Sequence, residues 1–172
     1  MYVESVTPYS QLIGTNLAYV DMEMNTGDAF QQAFPQVLAA YEALVPFADV
    51  NPALKQLHDA GHQLILMSNS TRALMNAHLK HMAPVFDQVI TADDTGCYKP
   101  QTAFFDYVDA HLPAGEHIHV AHGFWWDIMP ATRRGWQRFW INRDHLQAPT
   151  AVQPLSELPD LKALSAQLEF NN

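Results

Sequence analysis

Residues 64–70 read Leu-Ile-Leu-Met-Ser-Asn-Ser, an apolar run followed at once by small polar residues. A short apolar run that ends at turn-forming residues predicts a buried β-strand. Gly61 lies just before the run, where the C-terminal stop of a preceding helix is expected. We therefore predict a strand at Leu64–Met67 that ends in a polar turn.

The same alternation of helix and strand continues along the chain from residue 53 onward. Repeated helix–strand alternation is typical of a parallel sheet with crossover helices, so the predicted fold class is α/β. The predicted strands are Leu64–Met67, Val89–Thr91, Ile118–Ala121 and Arg138–Ile141, and the predicted helices cover 53–60, 71–82, 101–112, 127–135 and 158–168, the last with Pro159 in its first turn.

The first fifty residues have a different pattern. Apolar side chains recur at helical spacing over 10–24 and 28–45, which predicts a pair of helices. Ser10 and Asp28 are the candidate N-caps. Pro35 interrupts the second stretch and is expected to split or kink it.

Composition excludes several functional classes. The chain has 172 residues, with 9 Lys+Arg against 18 Asp+Glu and a formal net charge of −9, so no basic stripe is available for nucleic acid. Charged residues make up 16%, against about 25% in an ordinary domain, which indicates an apolar surface covered by something else. The single cysteine, Cys97, fits a reducing compartment. With no membrane-length apolar run and no signal-peptide pattern, we expect a cytoplasmic protein without membrane partners.

Polar residues follow three of the predicted strands directly. They are Ser68-Asn69-Ser70, the segment 93–100 and the segment 122–127. In open parallel sheets, binding and chemistry collect at the carboxyl ends of the strands. The three segments are therefore predicted to form one site.

Each candidate residue in these segments also has a purely structural interpretation. Ser68 and Asn69 are suited to bind an anion, yet the same residue types commonly cap helices. Lys99, restrained by Pro100, is placed to pair with a carboxylate or an anionic substrate, or to be a solvated surface lysine. Asp127 either caps the predicted helix at 127–135 or faces the cleft as an acid.

Taken together, these segments resemble the haloacid dehalogenase superfamily of hydrolases over residues 46–143. Leu66-Met67-Ser68-Asn69-Ser70 resembles the second motif of that family and Tyr98-Lys99-Pro100 its third. Asp127 resembles the acid of the fourth motif. Together with Trp140-Ile141-Asn142-Arg143, the motifs are most similar to those of the L-2-haloacid dehalogenase branch.

The resemblance implies a Rossmann-like core over 49–172 and a helical remnant of the family's cap over 1–48. An Asp nucleophile would attack the carbon of a small 2-substituted carboxylic acid, and water would hydrolyse the resulting ester. The resemblance implies that Lys99 and Asp127 are catalytic and that Ser68, Asn69 and His122 bind the substrate.

One departure from the family concerns metal. Phosphatase members carry a Gly-Asp pair that binds Mg²⁺, and here that pair aligns with Ala121-His122. A neutral imidazole is a poor ligand for a hard cation that prefers oxygen. We therefore expect no metal and no cofactor.

The other departure is the first motif, which carries the nucleophile and the central strand between 64–67 and 118–121. We expect the sequence to begin inside the cap and to lack this motif. Leu17–Val20 followed by Asp21 imitates it, but the surrounding apolar spacing predicts a helix. The chain as written is therefore expected to be inactive, with a small anionic substrate as its partner if it is active.

The missing strand leaves other interpretations open. Either the two strands pair directly or another segment fills the gap, and a homodimer sharing strands would cover the exposed edges. A non-catalytic interaction or assembly protein on a degenerate fold is one alternative. A capless phosphatase that uses Asp21 and Glu23 is another.

Overall fold

Short parallel strands alternate with helices after residue 50, and helices alone precede them. The computed structural model describes residues 7–148 and 156–169. The strands are β1 (Ile65–Ser68), β2 (Gln88–Thr91), β3 (Ile118–Ala121), β4 (Gln137–Ile141) and β5 (Ser156–Leu158). The helices are α1 (Tyr9–Met24), α2 (Ala29–Gln32), α3 (Phe34–Glu42), α4 (Val50–Asp59), α5 (Arg72–Leu79), α6 (Ala92–Thr95), α7 (Thr102–His111), α8 (Met129–Arg133) and α9 (Leu161–Glu169), with a π-helical turn at Phe124–Ile128 before α8.

The predicted α/β class is confirmed, and all four predicted strands are present. Three differ from their predicted bounds by a single residue at one end or both. The structure adds β5, where the sequence has no apolar run to indicate a strand, and the short α6. The last helix begins at Leu161 rather than 158, so the prediction that Pro159 lies in its first turn is wrong.

The strands form two separate sheets, with β1 beside β2 in one and β3, β4 and β5 in order in the other. Every pairing is parallel. Within the described part of the chain, β1 and β3 do not pair with each other and no segment lies between them. Direct pairing of the two strands is therefore wrong, whereas filling of the gap by a segment outside the described residues stays a prediction. Each strand keeps only its outer neighbour, and an open groove separates the two sheets.

The buried core is divided by this groove. On one side α7 packs its buried Phe104, Phe105 and Val108 against β2. On the other side Phe139 of β4 packs against Leu57 and Leu164, which belong to α4 and α9. Helices thus support each sheet separately, which keeps the two sheets in place without strand pairing between them.

The N-terminal helices form as predicted, but their ends differ. α1 begins at Tyr9 with Pro8 at its cap position, so Ser10 is not the N-cap. Asp28 precedes α2 without making a side-chain capping bond. The predicted break near Pro35 is present, because α2 ends at Gln32 and α3 begins again at Phe34.

Asp21 is the residue that caps α2. Its buried carboxylate accepts hydrogen bonds from Phe30 N and Gln31 N, both at 2.9 Å, and from Thr26 Oγ1 at 2.7 Å. Burial raises the pKa of Asp21, but these hydrogen bonds outweigh it and hold the pKa below its ordinary value. Asp21 therefore ties α1 to α2 while it is ionised.

Asp21→Asn is expected to flatten the acid dependence of stability. Because the pKa of Asp21 is lower in the folded than in the unfolded chain, its stabilisation is present above the unfolded pKa of about 3.9 and is lost as pH falls through the folded pKa. Urea denaturation at about pH 5 and about pH 3 should therefore show a smaller loss for the variant than for the wild type. Asp28→Asn is the matched control, and an equal flattening by that variant would contradict the role given to Asp21.

Candidate functional site

Lys99 and Asp127 meet at the carboxyl ends of β1 and β3. Lys99 Nζ donates to Asp127 Oδ1 at 2.6 Å and to the carbonyl oxygen of Met67 at 3.2 Å. The side chains of Lys99 and Asp127 are only 8% and 7% exposed. Lys99 is therefore not a solvated surface lysine, and the two residues form a buried ion pair at the edge where chemistry is expected in such a fold.

Asn69 positions the loop that carries Lys99. Its side-chain oxygen accepts from Lys99 N at 2.7 Å, and its Nδ2 donates to the carbonyl oxygen of Lys99 at 3.1 Å. These two bonds hold the loop after β2 against the turn after β1. Asn69 therefore orients Lys99, and since one Nδ2 hydrogen is not used by these bonds, its contact with substrate stays a prediction.

Ser68 lies at the end of β1, in the turn before α5. Its Oγ accepts a hydrogen bond from Ser70 N at 3.1 Å. The cap of α5 is Thr71, whose side chain accepts from Leu74 N. Ser68 is therefore not the helix cap, and its hydroxyl hydrogen remains available as a donor.

Asp127 reaches Lys99 from a π-helical turn. We predicted a helix from 127, but the helical segment starts three residues earlier, at Phe124, and Asp127 lies inside it. The amides of Asp127 and Ile128 both donate to the carbonyl oxygen of Gly123, at 2.9 and 3.1 Å. Asp127 is thus not a cap, and the wide turn directs its carboxylate into the groove. Such π-turns are frequent at functional sites.

Gly123→Ala is expected to disturb this turn. A Cβ at Gly123 would lie 2.2 Å from Trp126 Nε1 and 2.6 Å from Asp127 Oδ2, so the carboxylate must move. We expect a loss of about 1–3 kcal/mol in unfolding free energy, as for other overpacked sites. Gly14→Ala on α1 is the control, because nothing lies within 4 Å of its Cβ and alanine favours helix by up to about 1 kcal/mol. Equal stability changes in the two variants would contradict the crowding at Gly123.

His119 is a site residue that sequence reasoning missed. It lies on β3 with a side chain 8% exposed, and its Nε2 is 3.4 Å from Asp127 Oδ1. That nitrogen has no hydrogen-bond partner of acceptable geometry. The available signal was a single histidine inside the otherwise apolar run 118–121.

Two neighbouring side chains, His119 and Lys99, set the charge state of Asp127. Burial raises the pKa of Asp127, but the nearby His119 ring and the charge and hydrogen bond of Lys99 lower it more. The net pKa lies below the ordinary value for aspartate. Asp127 is therefore an ionised carboxylate in contact with Lys99 Nζ.

His122 follows β3 and is exposed to solvent. Its Nδ1 donates to the carbonyl oxygen of Ile141 at 2.9 Å, since a carbonyl can only accept. Trp140 Nε1 donates to the carbonyl oxygen of His122 at 3.0 Å. The ring is therefore fixed against β4, and His122 lines the groove.

The groove between β1 and β3 has a volume of about 580 Å³ and contains the Lys99–Asp127 pair at one end. Its walls are mostly apolar, with a few polar groups converging at the strand ends. A cleft at the carboxyl ends of parallel strands is typical of α/β enzymes, because open parallel sheets bind small molecules at that edge.

The chain belongs to the haloacid dehalogenase-like hydrolase family, whose pattern matches residues 15–133. It is 28% identical to an (S)-2-haloacid dehalogenase of Pseudomonas putida, over 81% of this chain and 71% of that one. It is 29% identical to haloacetate dehalogenase H-2 of Moraxella sp. (strain B), over 70% of this chain and 53% of that one.

Solved structures agree on the fold. A dehalogenase crystallised as an intermediate complex superposes with a TM-score of 0.82 at 23% identity, covering 94% of this chain and 73% of that one. A crystal structure of an L-2-haloacid dehalogenase gives a TM-score of 0.80 at 24% identity, over 95% and 73% of the two chains. In the described residues, no helix is long and apolar enough to cross a membrane.

Proposed function

We propose that the cleft around Lys99 is a hydrolase site for small 2-substituted carboxylic acids. The observation that carries the proposal is the buried Lys99–Asp127 pair at the strand ends, in a chain similar to 2-haloacid dehalogenases. In the proposed reaction a carboxylate attacks the carbon that bears the halogen, the carbon–halogen bond breaks, and halide leaves. Water then hydrolyses the ester, which releases a 2-hydroxy acid and restores the carboxylate.

The site residues have distinct proposed roles in that reaction. The Lys99 ammonium would stabilise the attacking carboxylate and the anionic substrate, and Asp127 would hold Lys99 in place. Ser68 would donate its hydroxyl hydrogen to the substrate carboxylate, and His122 would bind the substrate from the lining of the groove. Asn69 would contribute by orienting Lys99 through its two backbone contacts.

We further propose that the chain as given does not complete this reaction. Among the described residues that line the groove, the carboxylates are Asp127 and Glu116. Asp127 is bound to Lys99, and Glu116 is hydrogen-bonded to Gln137 at the start of β4. Neither of these two carboxylates is therefore free to act as the nucleophile of the proposed reaction.

The alternative that uses Asp21 receives no support from its surroundings. A capless phosphatase would need residues 17–20 as a central strand, whereas they lie in α1 as predicted. The carboxylate of Asp21 is already occupied as the cap of α2. Asp21 is therefore a structural residue in this proposal.

The donor set at the strand ends also favours metal-independent chemistry. Mg²⁺ prefers several oxygen ligands in octahedral geometry. Here the Asp127 carboxylate faces the Lys99 ammonium at 2.6 Å, with the His119 ring on the same oxygen at 3.4 Å. In the part of the chain that the structure describes, no cluster of three or more His, Cys, Asp or Glu side chains could hold a metal ion.

Incubation with 2-chloropropionate tests the proposal that the chain as given is inactive. We expect no chloride release above that of a Lys99→Met control, because no described carboxylate is free to attack. Turnover in the wild type that disappears in Asp21→Asn would contradict the proposed inactivity. Hydrolysis of p-nitrophenyl phosphate that depends on Mg²⁺ would instead support the capless phosphatase.

A non-catalytic interaction or assembly role is the second candidate. It is favoured by the edges of β1 and β3 that no described strand covers and by exposed apolar side chains such as Tyr19 at 58%, Met22 at 64% and Phe47 at 66%. Sedimentation velocity should then detect a self-associated species, such as a homodimer. A monomer at all concentrations tested would count against self-assembly.

A further inference from the structure

His119 is a buried titratable side chain to which the proposed reaction gives no role. It lies on β3 with a side chain 8% exposed, and its Nε2 is 3.4 Å from Asp127 Oδ1. Among the described residues, none forms a hydrogen bond with this nitrogen. Buried polar atoms are normally hydrogen-bonded, so Nε2 is available for a further contact.

Asp127 Oδ1 is approached by two nitrogen atoms. Lys99 Nζ donates to it at 2.6 Å, whereas the 3.4 Å separation from His119 Nε2 is longer than a typical N–H···O hydrogen bond. A protonated imidazole has a hydrogen on each ring nitrogen and a positive charge. Protonated His119 would therefore compete with Lys99 for this oxygen through a charge-assisted hydrogen bond.

The charged groups near His119 lie on three elements of the described chain. Lys99 is in the loop after β2, Asp127 is in the π-helical turn, and Arg138 lies opposite His119 in the pairing of β3 with β4. The ring of Trp136, with its centroid at 5.7 Å, is an uncharged neighbour. While His119 is neutral, the charges of Lys99 and Asp127 cancel each other. Protonation of His119 would add one positive charge at this end of the groove.

We propose that protonation of His119 strengthens the binding of the anionic substrate at this site. The imidazolium takes a share of Asp127 Oδ1 and so leaves more of the Lys99 charge to the substrate carboxylate. The added charge also attracts the carboxylate directly, and such an attraction is stronger in a poorly hydrated cleft than in water. The inference rests on the proposed function, because its ligand is a small 2-substituted carboxylate.

The direction of the pH dependence follows from the charge of the imidazole. Histidine is the side chain that typically changes its charge between about pH 5 and about pH 8. Asp127 stays ionised over this range, because its pKa is held below the ordinary value. Affinity for the substrate should therefore be highest at the acidic end and should be lost as pH rises. By linkage, binding of the carboxylate should also take up protons.

Isothermal titration calorimetry with 2-hydroxypropionate tests the inference on the full chain. This ligand is the product expected from 2-chloropropionate, so the site has no halogen to displace during the titration. The Kd should fall about tenfold from about pH 8 to about pH 5. Proton uptake should appear as a dependence of the binding heat on the buffer. His119→Gln keeps a hydrogen-bond donor but cannot be protonated in this range, so it should lose both effects.

Two other histidines line the groove and provide matched controls. His117 lies two residues before His119, and its Nε2 is 2.8 Å from the carbonyl oxygen of Pro113. His117→Gln should keep the pH dependence of the wild type. His122→Gln should weaken binding at every pH, because His122 is a proposed substrate contact, but it should keep the ratio between pH 5 and pH 8.

Several results would overturn the inference. An equal pH dependence in His119→Gln would assign the effect to other groups. A Kd that does not change with pH in the wild type would contradict the role of His119 alone, whereas no binding at any pH would contradict the proposed function as well. If His119→Gln fails to fold, NMR of the wild-type histidine rings decides, since the ligand should increase the protonated fraction of His119 at a fixed pH. An unchanged fraction would contradict the inference.

Discussion

Asp127→Asn is expected to lower the free energy of unfolding by about 3–5 kcal/mol. The substitution removes the negative charge beside the buried Lys99 ammonium and leaves it with neutral acceptors, the new amide oxygen and the carbonyl oxygen of Met67. Both side chains of the pair are less than a tenth exposed, so the uncompensated charge lies in a poorly hydrated position. Urea denaturation at neutral pH measures the effect.

A double replacement separates the charge effect from the loss of packing. Lys99→Met with Asp127→Leu removes both charges together, and we expect it to recover most of the stability lost in Asp127→Asn. The exposed pair of Lys55 and Asp59 provides the external comparison, because Lys55→Met should change stability little. A double variant as unstable as the sum of its single variants would contradict the buried-charge explanation.

Asp49→Ala is expected to cost about 2–4 kcal/mol, the second largest effect. Asp49 accepts two hydrogen bonds from the Arg143 guanidinium, at 3.0 and 2.8 Å, and a third from Leu161 N at 3.0 Å. One carboxylate therefore joins the start of α4, the loop after β4 and the first turn of α9. The expected loss of stability is smaller than the sum of three charged hydrogen bonds, because the Asp49–Arg143 pair is about one-fifth exposed.

The effect of Asp49 should also depend on pH. The hydrogen bond from Arg143 lowers the pKa of Asp49 more than burial raises it. Its stabilisation is therefore present above the unfolded pKa of about 3.9 and is lost as pH falls through the lower folded value. The difference between wild type and Asp49→Ala should shrink between about pH 5 and about pH 3. A constant difference across that range would contradict the role of the ionised carboxylate.

The candidate site was predicted in part. The rule that polar residues collect at strand ends brought Lys99 and Asp127 into one site, and the structure places them in contact. The bonds from the Asn69 side chain to the backbone of Lys99, a residue 30 positions away, were not predicted, because they depend on the fold. His119 was not considered, because a single histidine in an apolar strand gives no periodic signal.

The fold of this chain follows largely from local patterns. Among the described residues, the apolar runs and the turn residues that bound them predicted every strand of four or more residues. A strand of this kind is indicated by residues that are adjacent in the sequence, so the pattern can be read without the fold. The α/β class followed from their alternation with helices. Helix ends were predicted less accurately. For example, α2 is capped by Asp21 from the preceding helix and not by Asp28, the residue directly before it.

Only the tertiary structure decided that β1 and β3 belong to separate sheets. The separation of the two sheets depends on how α7 packs on one side and α4 and α9 on the other, which are contacts between distant parts of the chain. The contact of Arg143 with Asp49 across 94 positions is of the same kind. Spacing along a sequence determines which residues share a face of one element, whereas the distance between two elements is set by packing of the whole domain.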